Sequence, residues 1–473
     1  MNPSLRQTLG KNSFVNRAQQ KELKKLKASM ATLREHQRTG VDWMVAREKA
    51  DISGGFLCDD MGLGKTIQTI YTMIENPKKT TLIVVPKSIV GQWVSEIEKF
   101  APSFSICEYN GSNREFFESD VCVCPYSVAV DLVDYRWDRI VLDEGHEIRN
   151  ANSLVHKTCM NFKAKTKWIL SGTPVFNTMR DFVSLCKFVG ISRKKVQAFY
   201  DEIREEYVLR RVKSDVINIT PIDFENVEIE MTEKERELYE RAYNELMDGS
   251  IDILEGILRC RQVCAWPQLY YDGLAKKFDI QREVWKGLTA KVKSLLKHIQ
   301  KHEDEKSLVF TQFRGEAEAI KIRIEHFLKR KVFILDGDTE NRDGVIQGFK
   351  DSPEGSVFII QIKTGGVGLN LIEATRVYIM QPSWNPATEL QAISRSHRCN
   401  QTRKVYVKKF LYKGPNIIEN ELVDLQRIKS EICAQVLGDD DLKEQIPKAS
   451  SVSNFVIRIG KNLYDITNET VDS

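Results

Sequence analysis

Short apolar runs recur along the chain, separated by longer stretches in which apolar positions return every three or four residues. In the first half the runs are Gly55–Cys58, Thr81–Val85, Val121–Cys124, Arg139–Leu142 and Lys167–Leu170. Each has the length of a strand bounded by polar segments. Between them lie helical patterns, such as Ile89–Phe100 with its stripe of Ile89, Trp93, Ile97 and Phe100. The alternation restarts at Ser307–Phe310, Val332–Leu335, Val357–Ile362, Arg376–Met380 and Val405–Leu411, with helices near Glu316–Leu328 and Ala387–Arg398. Strands alternating with helices predict βα units on a parallel sheet, so the doubled pattern predicts two α/β lobes. Thr232–Gly249, Ile251–Val263 and Lys291–His302 are charged and helical without strand alternation, which predicts a helical insert between the lobes. The expected division is a basic N-terminal segment 1–32, a first lobe 33–220, a helical linker or insert 221–300, a second lobe 301–415 and an acidic C-terminal segment 416–473.

Composition narrows the class. The 473 residues are about three domains' worth of chain, and 42% hydrophobic with 29% charged residues excludes disordered, collagenous and coiled-coil readings. A net charge of +4 decides nothing about partners, but its distribution is uneven: residues 1–32 carry +6 and residues 414–473 carry −5. No apolar run approaches the roughly 18 residues of a membrane span, and the polar, basic start lacks a secretory signal's apolar stretch. Ten cysteines without a C-x-x-C suit a reducing compartment. The expectation is an intracellular protein with no membrane partner.

Two motifs carry chemistry. Gly62-Leu63-Gly64-Lys65-Thr66 follows a predicted strand and opens the amphipathic stretch Ile67–Ile74. In that setting backbone N–H groups of the turn and the helix terminus point at a phosphate, Lys65 reaches the β- and γ-phosphates, and the Thr66 hydroxyl ligates Mg²⁺. Asp59 stands where the strict pattern has its first glycine, and the plain alternative is a Gly-rich turn with a surface lysine. The second motif answers that alternative. Ile140-Val141-Leu142-Asp143-Glu144 is an apolar strand ending in two acids, about 80 residues downstream. Ligands of parallel sheets gather at the carboxyl ends of strands. Asp143 is placed there to hold Mg²⁺, and Glu144 to polarise the attacking water.

Taken in order, Asp60-Met61-Gly62-Leu63-Gly64-Lys65-Thr66, Asp143-Glu144-Gly145-His146, Ser171-Gly172-Thr173-Pro174 and Gln391–Arg398 resemble the motifs of helicase superfamily two, specifically the Swi/Snf-type chromatin-remodelling ATPases. Leu33–Gln37, Leu209–Lys213, Lys363–Leu371 and Trp384-Asn385-Pro386 match lesser signatures, and the resemblance runs from about Leu33 to Leu411. It implies two RecA-like lobes, ATP and Mg²⁺ as cofactors, and a motor that tracks on double-stranded DNA, in the nucleus or at a cytoplasmic viral replication site, with protein partners that supply targeting. The ATP site would comprise Gln37, reading the adenine, with Asp60, Met61, Gly62, Leu63, Gly64, Lys65 and Thr66. His146, Thr173 and Gly368 would couple phosphate state to nucleic acid. Arg395 and Arg398, spaced i, i+3 on a predicted helix, would act as arginine fingers. Lys87, Tyr126, Gln312, Lys363, Thr364 and Trp384 would contact nucleic acid through its backbone. Ser394, Asn400 and Ser383 depart from the family pattern at nucleic-acid coupling and interlobe positions.

Two other functions compete. A strand-separating DNA or RNA helicase is disfavoured by Gly145 and Gln401, where RNA helicases carry Ala and a further Arg. A non-catalytic nucleic-acid-binding scaffold is disfavoured because every catalytic group is present. Cys260-x3-Cys264 and His298-x3-His302 have ligand types at i, i+4 spacing, yet zinc modules pack closer pairs, and Cys260 and Cys264 share a helix face with Ile257, so a core role is expected rather than zinc.

Overall fold

The computed structural model describes residues 33–111, 114–172, 179–216, 219–362, 369–398 and 401–437. The chain divides into two units, one formed by Met1–Pro174 with Phe182–Val212, the other by Val175–Asp181 with Lys213–Ser473.

The first unit holds a seven-stranded sheet. Its strands are β1 (Ser53–Leu57), β2 (Thr81–Val85), β3 (Ile106–Glu108), β4 (Val121–Pro125), β5 (Arg136–Asp143), β6 (Lys163–Leu170) and β7 (Val208–Leu209), in the order β3-β4-β2-β5-β6-β1-β7. Every neighbouring pair is parallel. A parallel sheet is covered on both faces, which is why β1, β2 and β4 bury all their residues and read as unbroken apolar runs. Helices α1 (Glu35–Glu48), α2 (Lys65–Glu75) and α3 (Val90–Phe100) belong to this unit, and α3 turns Val90, Trp93 and Ile97 inward. One buried ion pair fastens α1 to the sheet. Arg139 of β5 meets Glu48 with two hydrogen bonds of 2.6 Å, and Trp168 Nε1 donates to the same carboxylate at 3.0 Å. Both charged side chains are almost wholly buried.

The second unit holds a six-stranded sheet of β8 (Ile222–Ile229), β9 (Lys306–Thr311), β10 (Val332–Leu335), β11 (Val357–Gln361), β12 (Ala374–Ile379) and β13 (Val405–Tyr412). The order is β10-β11-β9-β12-β13-β8, again all parallel. Strand alternation sorts its core into two layers: Val309, Ile359, Tyr378 and Phe410 face one side, and Leu308, Phe310, Ile360, Ile379 and Val407 the other. Among the helices of this unit are α4 (Glu233–Met247), α5 (Ile253–Ala265), α6 (Pro267–Phe278), α7 (Ala290–Lys301), α8 (Arg314–Arg323), α9 (Pro386–Ile393) and α10 (Ile418–Leu437).

Two expectations are revised. The insert expected at 221–300 does not begin as helix: Ile222–Ile229 form β8, paired in register with the whole of β13. Its helices α4–α6 share a core with Tyr412, Ile417 and Ile418, so they belong to the second unit. The acidic C-terminal segment contains α10, whose Ile418 and Leu422 are buried. Residues 1–32 and Asp439–Asp441 lie outside the described residues, as does Phe455–Ile459. Among the described residues, no helix is long and apolar enough to cross a membrane.

Candidate active site

The loop between β1 and α2 is shaped by glycine. Gly64 has a φ of 83° and serves as the N-cap of α2. A Cβ there would be strained and would lie 2.5 Å from Gln37 Nε2, so Gln37 packs directly on the loop. Gln37 Nε2 donates to Leu63 O at 3.2 Å, His36 Nε2 lies 3.1 Å from the same oxygen, and the Leu63 side chain is fully buried as the loop's anchor. Lys65 and Thr66 form the first turn of α2, where backbone N–H groups lack intrahelical acceptors and the helix dipole favours an anion. Lys65 Nζ donates to Asp59 O at 2.7 Å and Asp60 O at 3.5 Å. Asp60 pairs with Arg210 at 2.7 Å. A Cβ on Gly172 would lie 3.6 Å from Met61 Cγ and 4.0 Å from Lys65 Nζ, so the Ser171-Gly172 turn closes against this loop.

The acid pair stands at the end of β5. Asp143 is 8% exposed, and three donors fix it: Trp93 Nε1 to Oδ2 at 2.8 Å, the Glu144 amide to Oδ1 at 2.9 Å, and the Tyr126 hydroxyl to its carbonyl at 2.9 Å. Burial and the neighbouring Glu144 charge push its carboxyl up to about 6, against the pull of Trp93 and the Lys65 ammonium. A buried carboxylate so destabilised, close enough to Lys65 to feel its charge and near the phosphate loop in the same sheet, is chemically suited to a divalent cation. Glu144 has a φ of 49°, a left-handed conformation rare outside glycine, which begins the short helical turn Gly145–Ile148. His146 Nδ1 lies 3.3 Å from Glu144 Oε2.

The residues expected to touch nucleic acid fall differently. Lys87 is exposed just past β2. Tyr126 is 9% exposed and its hydroxyl donates to the Asp143 carbonyl, so its side chain is turned inward as a strut of the acid pair. In the second unit, Gln312 Nε2 donates to Ser383 Oγ at 3.0 Å at the end of β9. Trp384 is half-buried, with the Arg261 guanidinium 5.6 Å from its ring centre. Thr173, Lys363, Thr364, Gly368 and Asn400 lie outside the described residues.

Arg395 and Arg398 do not share a helix face. Helix α9 stops at Ile393, and both arginines sit in the turn beyond it. Arg395 is 4% exposed, and Arg398 Nε donates to Ser394 O at 3.2 Å. Cys260 and Cys264 are buried with Ile257 and Val263, while the His298 ring packs near Tyr378 and Phe410. Among the described residues no three His, Cys, Asp or Glu side chains are grouped to hold a metal.

Sequence reasoning missed Trp93 and Tyr126 as partners of Asp143, and it noted Arg210 and Arg211 only as part of a minor signature. Trp93 lay in plain view on the helix stripe, but its bond spans 50 residues and no local pattern announces it.

Comparison with known proteins places these features. A model of the SNF2-related domain matches residues 36–206, and a model of the helicase conserved C-terminal domain matches residues 290–400; together they cover more than half of the chain. The human DNA excision repair protein ERCC-6 is 29% identical over 85% of this chain and 32% of its own. A probable global transactivator of Orgyia pseudotsugata multicapsid polyhedrosis virus is 29% identical over 82% of this chain and 88% of its own. The SWI2/SNF2 ATPase core of Sulfolobus solfataricus, solved in complex with dsDNA, is 26% identical, covers 88% of this chain and 97% of that one, and superposes with a TM-score of 0.41. The chain spans 32–43% of the length of four cellular relatives that it matches over most of its own.

Proposed function

The chain belongs to the SNF2-related family, and we propose that it is a nucleotide motor that hydrolyses ATP under stimulation by duplex DNA and moves along that DNA. One observation carries the reading: a glycine phosphate loop and an acid-tipped strand lie in one parallel sheet, and a helicase C-terminal match falls in the second unit.

The loop amides and Lys65 bind the β- and γ-phosphates, and Gln37, seated on the loop, reads the adenine. Asp60, Met61, Gly62, Leu63 and Gly64 shape that loop. Thr66 and Asp143 would hold Mg²⁺, which supplies charge neutralisation on the phosphate oxygens. Glu144 orients and polarises the attacking water. His146, within reach of Glu144, links that carboxylate to the following turn, and Thr173 and Gly368 share this coupling role. Arg395 and Arg398 stabilise charge on the γ-phosphate as arginine fingers. Lys87, Gln312, Lys363, Thr364 and Trp384 supply contacts to the DNA backbone that are blind to sequence and sensitive to salt. Support for a DNA substrate comes from relatives named for DNA excision repair and chromatin remodelling. Partner proteins would direct the motor within the nucleus or at a viral replication site.

Steady-state ATPase assays test the reading. Lys65→Ala and Glu144→Gln are expected to abolish hydrolysis while leaving the circular dichroism spectrum unchanged. Wild-type turnover is expected to rise severalfold with duplex DNA and less with single-stranded RNA. Turnover indifferent to every nucleic acid would overturn the DNA reading, and a larger response to single-stranded RNA would replace it with a helicase acting on RNA.

A further inference from the structure

We infer that Arg211, gripped by Asp59, latches the phosphate loop to the chain segment leaving the first unit, so that nucleotide bound at the loop is felt in that segment. The inference deepens the nucleotide reading above and rests on it. Asp59 is fully buried at the place where a strict phosphate loop has glycine. A buried carboxylate needs a partner, and Arg211 provides a two-pronged one: Nε donates to Oδ1 at 2.9 Å and Nη2 to Oδ2. The same guanidinium donates to the His36 carbonyl of α1 and, at 2.7 Å, to Gln68 Oε1 of α2. Gln68 in turn donates to Asp59 Oδ2 at 3.0 Å. Gly40 makes room for the arrangement, since a Cβ there would collide with the Gln68 amide and crowd Arg211.

The backbone repeats the connection. Cys58 N donates to Leu209 O at 2.7 Å and Asp60 N to Arg211 O at 2.9 Å, extending the β1–β7 pairing alongside the loop. Arg210 adds its bonds to Asp60 Oδ1 and, at 3.0 Å, to Cys58 O. Val212 is the last residue of the first unit and Lys213 begins the main span of the second. The carbonyls that Lys65 holds belong to Asp59 and Asp60, the two residues the arginines grip. A phosphate held by Lys65 competes with those carbonyls for the ammonium's donors, and any change falls on the latched residues. Arg211 is thus a positioning residue, acting through Asp59.

Amide hydrogen exchange of the full chain, with and without Mg²⁺ and a non-hydrolysable ATP analogue, tests this. In the wild type, nucleotide is expected to slow exchange in peptides covering 57–68 and, by about threefold or more, in those covering 207–214. In Arg211→Lys, which keeps the charge but loses the fork, and in Asp59→Asn, the loop response is expected to persist and the exit response to fall to less than half, the remainder being carried by Arg210 and the backbone bonds. Gly40→Ala, which crowds the latch without altering either charge, should give the same result, so misfolding of one variant does not shield the inference. An exit peptide that responds equally in all variants, or never responds in the wild type, would overturn the latch. Absence of any loop response would overturn the nucleotide reading together with it. Failure of DNA stimulation would not touch it, because exchange is read without DNA.

Discussion

Asp143 shows how much of a candidate metal-holding carboxylate lies in its neighbours. Its oxygens are aimed by an indole and an amide, and its carbonyl is held by a phenol. Removing the indole donor should loosen the orientation in which the carboxylate meets a cation. Outer partners of this kind are worth 10- to 100-fold in metal affinity. We therefore expect Trp93→Phe to raise the Mg²⁺ concentration for half-maximal ATPase by about tenfold, while nucleotide affinity measured without Mg²⁺ changes little. An unchanged Mg²⁺ dependence with a lowered melting temperature would leave Trp93 as core alone. At this scale the sequence is half legible. Lys65, Thr66, Asp143 and Glu144 announce themselves because phosphate chemistry fixes their local spacing. Trp93 and Tyr126 do not, because an inward-facing aromatic satisfies the core stripe and the polar contact equally well.

Between helix and sheet, the Arg139–Glu48 pair makes a sharper stability statement than any exposed ion pair. Removing one partner strands a buried charge, which costs about 3–5 kcal/mol, whereas replacing both with apolar groups of similar volume is often neutral or better. Glu48→Gln is expected to lower the urea midpoint of the first unit markedly, and the double change Glu48→Leu with Arg139→Met to recover most of it. Glu316, capping α8 through the amides of Gln312 and Phe313, belongs to the second unit. Burial pushes its carboxyl up from 4.5 to about 7, with Glu419 adding to the rise and Lys291 opposing it. The folded chain keeps a proton that the unfolded chain releases, so this group's contribution to stability declines as pH rises from about 4.5 to 7, by at most about 3 kcal/mol. Thermal melts across pH 5–8 should show this decline, and Glu316→Gln should flatten it. The inner strands of both sheets were readable because a buried parallel strand is an unbroken apolar run. Three edge strands escaped notice: β3 and β7 are only three and two residues long, and β8 carries polar residues, Asp223, Glu225 and Glu228, which face Lys408 of β13 and Lys404 and Lys413 just beyond its two ends. The end of α9 was placed too late, since Gln391–Arg398 contains no glycine or proline to mark it.

For the molecule as a whole, two parallel sheets were legible from a pattern that begins, stops and begins again. What could not be read was ownership. The charged helices after β8 carried no sign of which lobe they joined until Tyr412 and Ile418 were found in their core. Their attachment is reinforced by Glu235, which caps α4, accepts from the Ala290 amide at 3.2 Å and receives the Tyr412 hydroxyl.

The pairing of β8 with β13 has a practical corollary for anyone dissecting the protein. A fragment starting near residue 301, where the strand pattern resumes, would strip eight residues of partner from β13 and bare its unpaired backbone N–H and C=O groups, a border that invites self-association. Starting near residue 219 instead keeps that border covered. Gel filtration of the two fragments should find the longer one monodisperse and the shorter one aggregated.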